Sequence, residues 1–267
     1  MGDGHPLVLI AGPCVVENRD MVLSTAAKIQ KQAAASGFPL IFKASYKKAN
    51  RTSGASFRGL DPDRALRILS EVRTELGVPV LTDVHSEAEV DAAAKAVDVL
   101  QIPAFLCRQT ELLEAAGRSG KPVNVKKGQF MAPDDMRYQA EKITRTGNPH
   151  VMLTERGTSF GYHNLVVDMR SLVIMGQSGF PVILDVTHSL QLPGGNDSTS
   201  GGEPGYIFPL ARAGAAVGVD GFFIETHPDP PRALSDPSTQ LRLDLLGPLL
   251  RQIRSVDSAV RQEIGRA

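Results

Sequence analysis

One pattern repeats along the chain. A short β-branched or apolar run ends in a polar or charged residue, and an amphipathic stretch follows. The runs are LVLIAG (7–12), LIFKAS (40–45), PVLTDV (79–84), DVLQIP (98–103), PVNVKKG (122–128), VMLTER (151–156), PVILDV (181–186) and GFFIET (221–226). They recur roughly every 30 residues, the size of a βα unit. Between them lie segments such as MVLSTAAKIQKQAAAS, DPDRALRILSEVRTELG and SEAEVDAAAKAV. Their apolar residues return at three- and four-residue steps, as on a helix face. Gly or Pro often precedes the next run, where a helix should stop. Continuous apolar strands alternating with helices predict a parallel sheet covered on its outer side. Eight units predict closure into one (β/α)₈ TIM barrel over residues 1–267, with an open doubly wound sheet as the alternative. The glycine-rich segment 193–205 follows the seventh strand. It reads as a surface loop, or as a mobile lid if that side of the barrel is the working side.

Composition narrows the function. The 267 residues carry 29 Lys+Arg and 29 Asp+Glu, so net charge is zero. That balance argues against a protein that grips nucleic acid or an anionic membrane with its whole surface. No apolar run approaches the ~18 residues of a membrane span. The start, MGDGHPLVLIAGPC, lacks the basic region of a signal peptide. Two cysteines, Cys14 and Cys107, make no disulfide framework, and a reducing cytoplasm is the expected compartment.

In barrels the active site lies at the C-terminal ends of the strands. Every run here ends in reactive side chains: Cys14 and Glu17; Lys43; Asp83 and His85; Gln101, leading to Arg108; Asn124, Lys126 and Lys127; Glu155 and Arg156; Asp185 and His188; Glu225 and His227. Any one could be a satisfied ion pair, but packing alone does not explain a polar end on all eight. Two subsets suggest chemistry. Lys43, Lys48, Arg51, Lys126 and Arg156 would gather at one mouth, and Arg and Lys suit phosphate groups. Lys43 and Lys126 each interrupt an apolar strand, which sets them apart from ordinary surface cations. No Walker-type loop is present. Second, closure makes strand eight a neighbour of strand one, so Cys14, His188, Glu225 and Asp236 could converge as ligands of Zn²⁺, Fe²⁺ or Mn²⁺. Spacing alone leaves a rival reading open: Cys14 as a small buried core residue.

The segments IAGPCVVEN, FKASYKKANRTS, TDVH, QIPAFLCRQT, VNVKKGQF, TERGTSFGYHNLVVDMRS, DVTHSLQLPGG, ETHPDP and LSDPSTQL carry a resemblance. In this order they resemble the 3-deoxy-D-manno-octulosonate 8-phosphate synthases, over nearly the whole chain. KANR followed by Thr52-Ser53 is the most specific element. It separates the chain from the heptulosonate 7-phosphate synthases. The resemblance implies a TIM-barrel tetramer that condenses phosphoenolpyruvate with arabinose 5-phosphate and water for lipopolysaccharide synthesis. It implies that Lys43, Lys48, Lys126 and Arg156 hold phosphoenolpyruvate, with Gln101 nearby. The sugar phosphate would meet Asn50, Arg51 and Thr52, with Arg108 from a neighbouring subunit. Cys14, where the metal-independent class has Asn, implies the divalent-metal class with Cys14, His188, Glu225 and Asp236 as ligands. Lys43, Lys126, His188 and Asp83 are the candidate catalytic groups. The chain departs from the family at Thr52, at Gly54-Ala55, at Ser86 and in the lid. A heptulosonate synthase using erythrose 4-phosphate, a Schiff-base aldolase built on Lys43 or Lys126, and a non-catalytic sugar-phosphate sensor are the rival readings.

Overall fold

The computed structural model describes residues 5–49, 57–194 and 201–264. Eight strands appear in the expected places: β1 (Val8–Gly12), β2 (Leu40–Lys43), β3 (Val80–Asp83), β4 (Val99–Ile102), β5 (Val123–Lys126), β6 (Val151–Glu155), β7 (Val182–Asp185) and β8 (Gly221–His227). Each pairs in parallel with the next, and β8 pairs back onto β1 with Val8 opposite Gly221 and Gly12 opposite Glu225. That last pairing closes the barrel and rules out the open sheet.

Eight helices surround it: α1 (Arg19–Ala35), α2 (Pro62–Leu76), α3 (Glu87–Ala96), α4 (Thr110–Arg118), α5 (Met136–Thr144), α6 (Met169–Gly176), α7 (Ile207–Val217) and α8 (Leu246–Ile264). Their ends carry local signals. Asn18 accepts from the Met21 amide at the start of α1. Asp61 caps α2 ahead of Pro62, and Gly77 ends α2 at φ 65°. The extra paired segments are short. Thr158–Ser159 pairs with Leu165–Val166, and Gln191–Leu192 pairs with Gly201–Gly202 at the base of the glycine-rich segment.

Side-chain parity decides what reaches the site. Residues two apart on a strand share a face. Leu9, Phe42, Val80, Leu100, Val125, Leu153, Leu184 and Phe222 belong to the main core outside the sheet, with the helices. Val8, Ile10, Ile41, Leu81, Val99, Met152, Ile183 and Phe223 form a separate apolar cluster that fills the barrel interior. Two residues further along the same faces stand Gly12, Lys43, Asp83, Gln101, Thr154, Asp185 and Glu225. The interior therefore changes from apolar to charged in one layer. Gly12 has no side chain to spare: a Cβ there would sit 1.9 Å from the Lys43 carbonyl oxygen.

Candidate active site

The charged layer opens into a cavity of about 370 Å³, lined by Lys43, Lys48, Asp83, Gln101, Lys126, Arg156, His188 and Asp236 among others. Four of the five expected cations thus share one mouth, while Arg51, with Asn50 and Thr52, lies outside the described residues. Phe223, of the apolar interior cluster, packs beneath two of these cations. The Lys126 ammonium sits 3.5 Å above its ring centroid and the Lys43 ammonium 5.5 Å away.

The carboxylates that balance these cations share their layer. Asp83 and Asp185 are buried in the same layer, because each falls at an inward-facing strand position. Lys43 Nζ lies 2.5 Å from Glu225 Oε1 and donates to the Cys14 carbonyl at 3.1 Å. Lys126 Nζ lies 2.5 Å from Asp185 Oδ2 and 3.3 Å from His188 Nδ1. Asp185 Oδ2 also meets His188 Nδ1 at 2.7 Å, which leaves His188 Nε2 facing Glu225 Oε1 at 3.4 Å. Burial draws the Lys126 ammonium down; Asp185 opposes this, Lys43 adds to it, and the result is about 8. Burial raises the Glu225 carboxyl, but His188, Lys43 and Lys48 outweigh it and hold it at about 2. Lys48 is the reverse case: burial lowers it, and the anionic side of Cys14, Glu225, Asp83 and Asp236 raises it more.

Cys14, Glu225 and Asp236 bring one ligand atom each to within 4.8 Å of one another. The Cys14 thiol donates to Asp236 Oδ2 at 2.9 Å and lies 3.0 Å from Ser235 Oγ. Asp236 adopts φ 48°, the left-handed region that Asp tolerates better than most residues. His188, the fourth expected ligand, stands beside this trio through Glu225 and is held from behind by Asp185. A carboxylate behind the ring is the usual support for a ligating histidine. Glu225 Oε2 is buried without a hydrogen-bond partner among the described residues. Burial, with Asp236 and Glu225 alongside, pushes the Cys14 thiol well up. A divalent cation would remove that penalty, so the thiol and the two carboxylates fit a metal.

Three further buried polar atoms of the cavity have no partner among the described residues: Ser45 Oγ, Asp83 Oδ1 and Arg156 Nη1. Arg156 Nη2 donates to Gln191 Oε1 at 2.7 Å, and Gln191 Nε2 donates to Asp236 Oδ1 at 3.3 Å. Gln191, Ser235 and Gln240 escaped the sequence reading because they carry no charge. Gln240 accepts from the Cys14 amide at 3.1 Å, and its signal was its place in LSDPSTQL.

Some strand-end residues point elsewhere. Lys127 and Glu155 are shifted by one position from the inward face. They form a buried pair at 3.4 Å outside the barrel, with Thr158 and Ser171 as further partners. Arg108 is exposed and does not line the cavity of its own chain.

A closed parallel barrel with cations, carboxylates and a thiol at its C-terminal mouth defines a TIM-barrel enzyme acting on small anions. The particular relationship is also plain: the chain belongs to the DAHP synthetase I family, whose profile matches residues 1–262. It is similar to the 2-dehydro-3-deoxyphosphooctonate aldolase of Geobacter sp. (strain M21), 54% identical over 262 residues, 98% of this chain and 96% of that protein. The aldolase of the same name from Methylococcus capsulatus (strain Bath) is 52% identical over 261 residues, covering 98% and 92%. Among the described residues, no helix is long and apolar enough to cross a membrane.

Proposed function

We infer that this chain condenses phosphoenolpyruvate with D-arabinose 5-phosphate and water, releasing inorganic phosphate and 3-deoxy-D-manno-octulosonate 8-phosphate, a step toward lipopolysaccharide. The observation that carries the reading is the convergence of Lys43, Lys48, Lys126 and Arg156 on one cavity in a chain 54% identical to the aldolase from Geobacter.

Phosphoenolpyruvate is a masked enol. Its methylene carbon attacks the sugar aldehyde, water adds at the central carbon, and the hemiketal phosphate collapses by C–O cleavage. Two phosphorylated anions must be held together against their repulsion. We assign that task to the four cations, with the free Arg156 Nη1 and the Lys48 ammonium facing the phosphate and carboxylate of phosphoenolpyruvate. Gln101, fixed by a hydrogen bond from Asn124 at 3.0 Å, borders the same end. Lys43 neutralises charge beside Glu225. Lys126, drawn down to about 8, is our choice for moving a proton at the reacting carbons. Asp83 Oδ1 accepts from a substrate hydroxyl or from the attacking water.

Cys14, His188, Glu225 and Asp236 would hold a divalent ion, Zn²⁺, Fe²⁺ or Mn²⁺. When bound, it supplies Lewis-acid polarisation of an oxygen at the reacting end. Asn50, Arg51 and Thr52 are assigned to the sugar phosphate, together with Arg108 of a neighbouring copy in a tetramer. The exposure of Arg108 away from its own cavity supports that assignment. One barrel spanning 1–267 carries the activity, in the cytoplasm.

Phosphate release from phosphoenolpyruvate with arabinose 5-phosphate, run with and without a chelator, tests substrate, reaction and metal together. Erythrose 4-phosphate in a parallel arm decides against the heptulosonate reaction. Borohydride with substrate should trap no covalent adduct, which excludes the Schiff-base route. Binding of both substrates without turnover, with metal supplied, would favour the sensor reading and overturn ours.

A further inference from the structure

Beside the cavity, outside the cations and the metal set, lies a second cluster of charge. His85 follows β3 and stands between two carboxylates. Its Nε2 lies 3.0 Å from Asp83 Oδ2 and its Nδ1 lies 3.1 Å from Glu89 Oε2. Glu89 sits in the first turns of α3 and does much more than meet the ring. It accepts from the His85 amide at 3.0 Å, from Ser86 Oγ at 3.0 Å, from Lys47 Nζ at 2.6 Å and from the Tyr46 hydroxyl. Five donors on one carboxylate tie the β2–α2 loop to the end of β3. Lys47 is the immediate neighbour of Lys48, a cavity cation.

An ionised carboxylate can only accept hydrogen bonds. With such an acceptor on each ring nitrogen, His85 satisfies both by donating twice, as an imidazolium. Asp83 then spends Oδ2 on the ring and keeps Oδ1, buried and without a partner among the described residues, for the cavity. We propose that Glu89 is a positioning residue for the condensation: it holds His85 as a doubly protonated imidazolium, which fixes Asp83 as an ionised carboxylate with Oδ1 presented to substrate. The proposal rests on the condensation reading for its substrate, but not for its geometry.

The groups facing His85 are Asp83 from β3, Glu89 from α3, and Tyr46 and Lys47 from the β2–α2 loop; Lys43 and Lys48 face Asp83 from beyond. Burial disfavours the charged ring, yet Asp83 and Glu89 outweigh it and raise His85 above its ordinary range. Burial raises Glu89 too, and Lys47, Tyr46 and His85 hold it at about 2. Both directions favour the state in which the two carboxylates and the imidazolium are charged together.

The test combines ¹⁵N-histidine spectra, with the His85 signal assigned by its loss in His85→Asn, and steady-state kinetics of the metal-loaded enzyme. The wild-type ring should carry both protons at pH 7.5. In Glu89→Gln the neutral amide should lower its titration midpoint by about one pH unit or more. Turnover should fall about tenfold with KM for phosphoenolpyruvate within about twofold, because the loss is one of alignment rather than of anion binding. Glu89→Asp, which keeps the charge, should restore the titration and part of kcat. An unchanged midpoint or unchanged kcat in Glu89→Gln overturns the proposal. So does a wild-type ring with a single proton at pH 7.5, and this measurement decides even if the variant does not fold. Failure of the wild-type enzyme to release phosphate would instead strike the substrate reading, and the His85 spectra would still decide the relay.

Discussion

Asp185 Oδ2 is shared by two partners, Lys126 Nζ at 2.5 Å and His188 Nδ1 at 2.7 Å. One carboxylate oxygen therefore sets both the lysine assigned to proton transfer and the histidine assigned to the metal. Its other oxygen accepts from the Thr187 and His188 amides, so the group cannot swing away. Asp185→Asn should let the imidazole turn and weaken metal retention about 10- to 100-fold. It should also remove the group that opposes burial at Lys126, moving that ammonium further below about 8. Metal content after dialysis, measured beside kcat, checks the first effect separately from the second.

Chelation should abolish phosphate release, and added divalent cation should restore it. Cys14→Ala should hold far less metal than the wild type, since a thiolate is lost from the trio with Glu225 and Asp236. Full activity in a metal-free preparation would show that these residues serve another purpose.

Arg156 has one guanidinium nitrogen on Gln191 and another buried without a partner among the described residues. Lysine would supply the charge but not the planar fork. Arg156→Lys should raise KM for phosphoenolpyruvate about tenfold, equivalent to about 1.4 kcal/mol, with a smaller change in kcat. Initial rates across a phosphoenolpyruvate series give both numbers.

Lys127 and Glu155 are fully buried outside the barrel, away from the cavity. Lys127→Ala leaves Glu155 charged and unpaired, which should destabilise the fold by about 3–5 kcal/mol. Urea unfolding measures this. The double variant Lys127→Met, Glu155→Gln should recover part of the loss, because no lone charge then remains buried.

His85 gives a pH prediction whose sign is fixed by its raised value. A group raised on folding contributes fully below its unfolded value, about 6.5, and loses that contribution as pH rises through the folded value. His85→Asn should therefore lower Tm more at pH 6 than at pH 9. Paired melts at the two pH values check the order.

The barrel was legible because each strand keeps its apolar run short and its helix amphipathic, two periods that do not resemble each other. The site was legible in outline for a related reason: Lys43 and Lys126 break apolar strands, and an interior lysine must serve or be paired. What strand ends alone do not reveal is parity. Glu155 and Arg156 are adjacent in sequence, yet one packs under α6 with Ser171 and the other enters the cavity. Asp185 was visible as a strand end, but its grip on both Lys126 and His188 needed the loop geometry after β7. Glu89 was invisible because it lies inside a helix, where a glutamate is ordinarily a solvated surface residue. Gln191 and Gln240 carry no charge to mark them.

The pairing of β8 with β1 also sets an order of events. Cys14 and Asp236 are separated by 222 positions, and Gly12 meets Glu225 only across that seam. A chain leaving the ribosome therefore exposes Cys14 long before Glu225 and Asp236 exist. Until the seam shuts, the thiol has neither Ser235 nor Asp236 beside it. A metal held by this set would thus report completion, because only a finished barrel brings Cys14, Glu225 and Asp236 together.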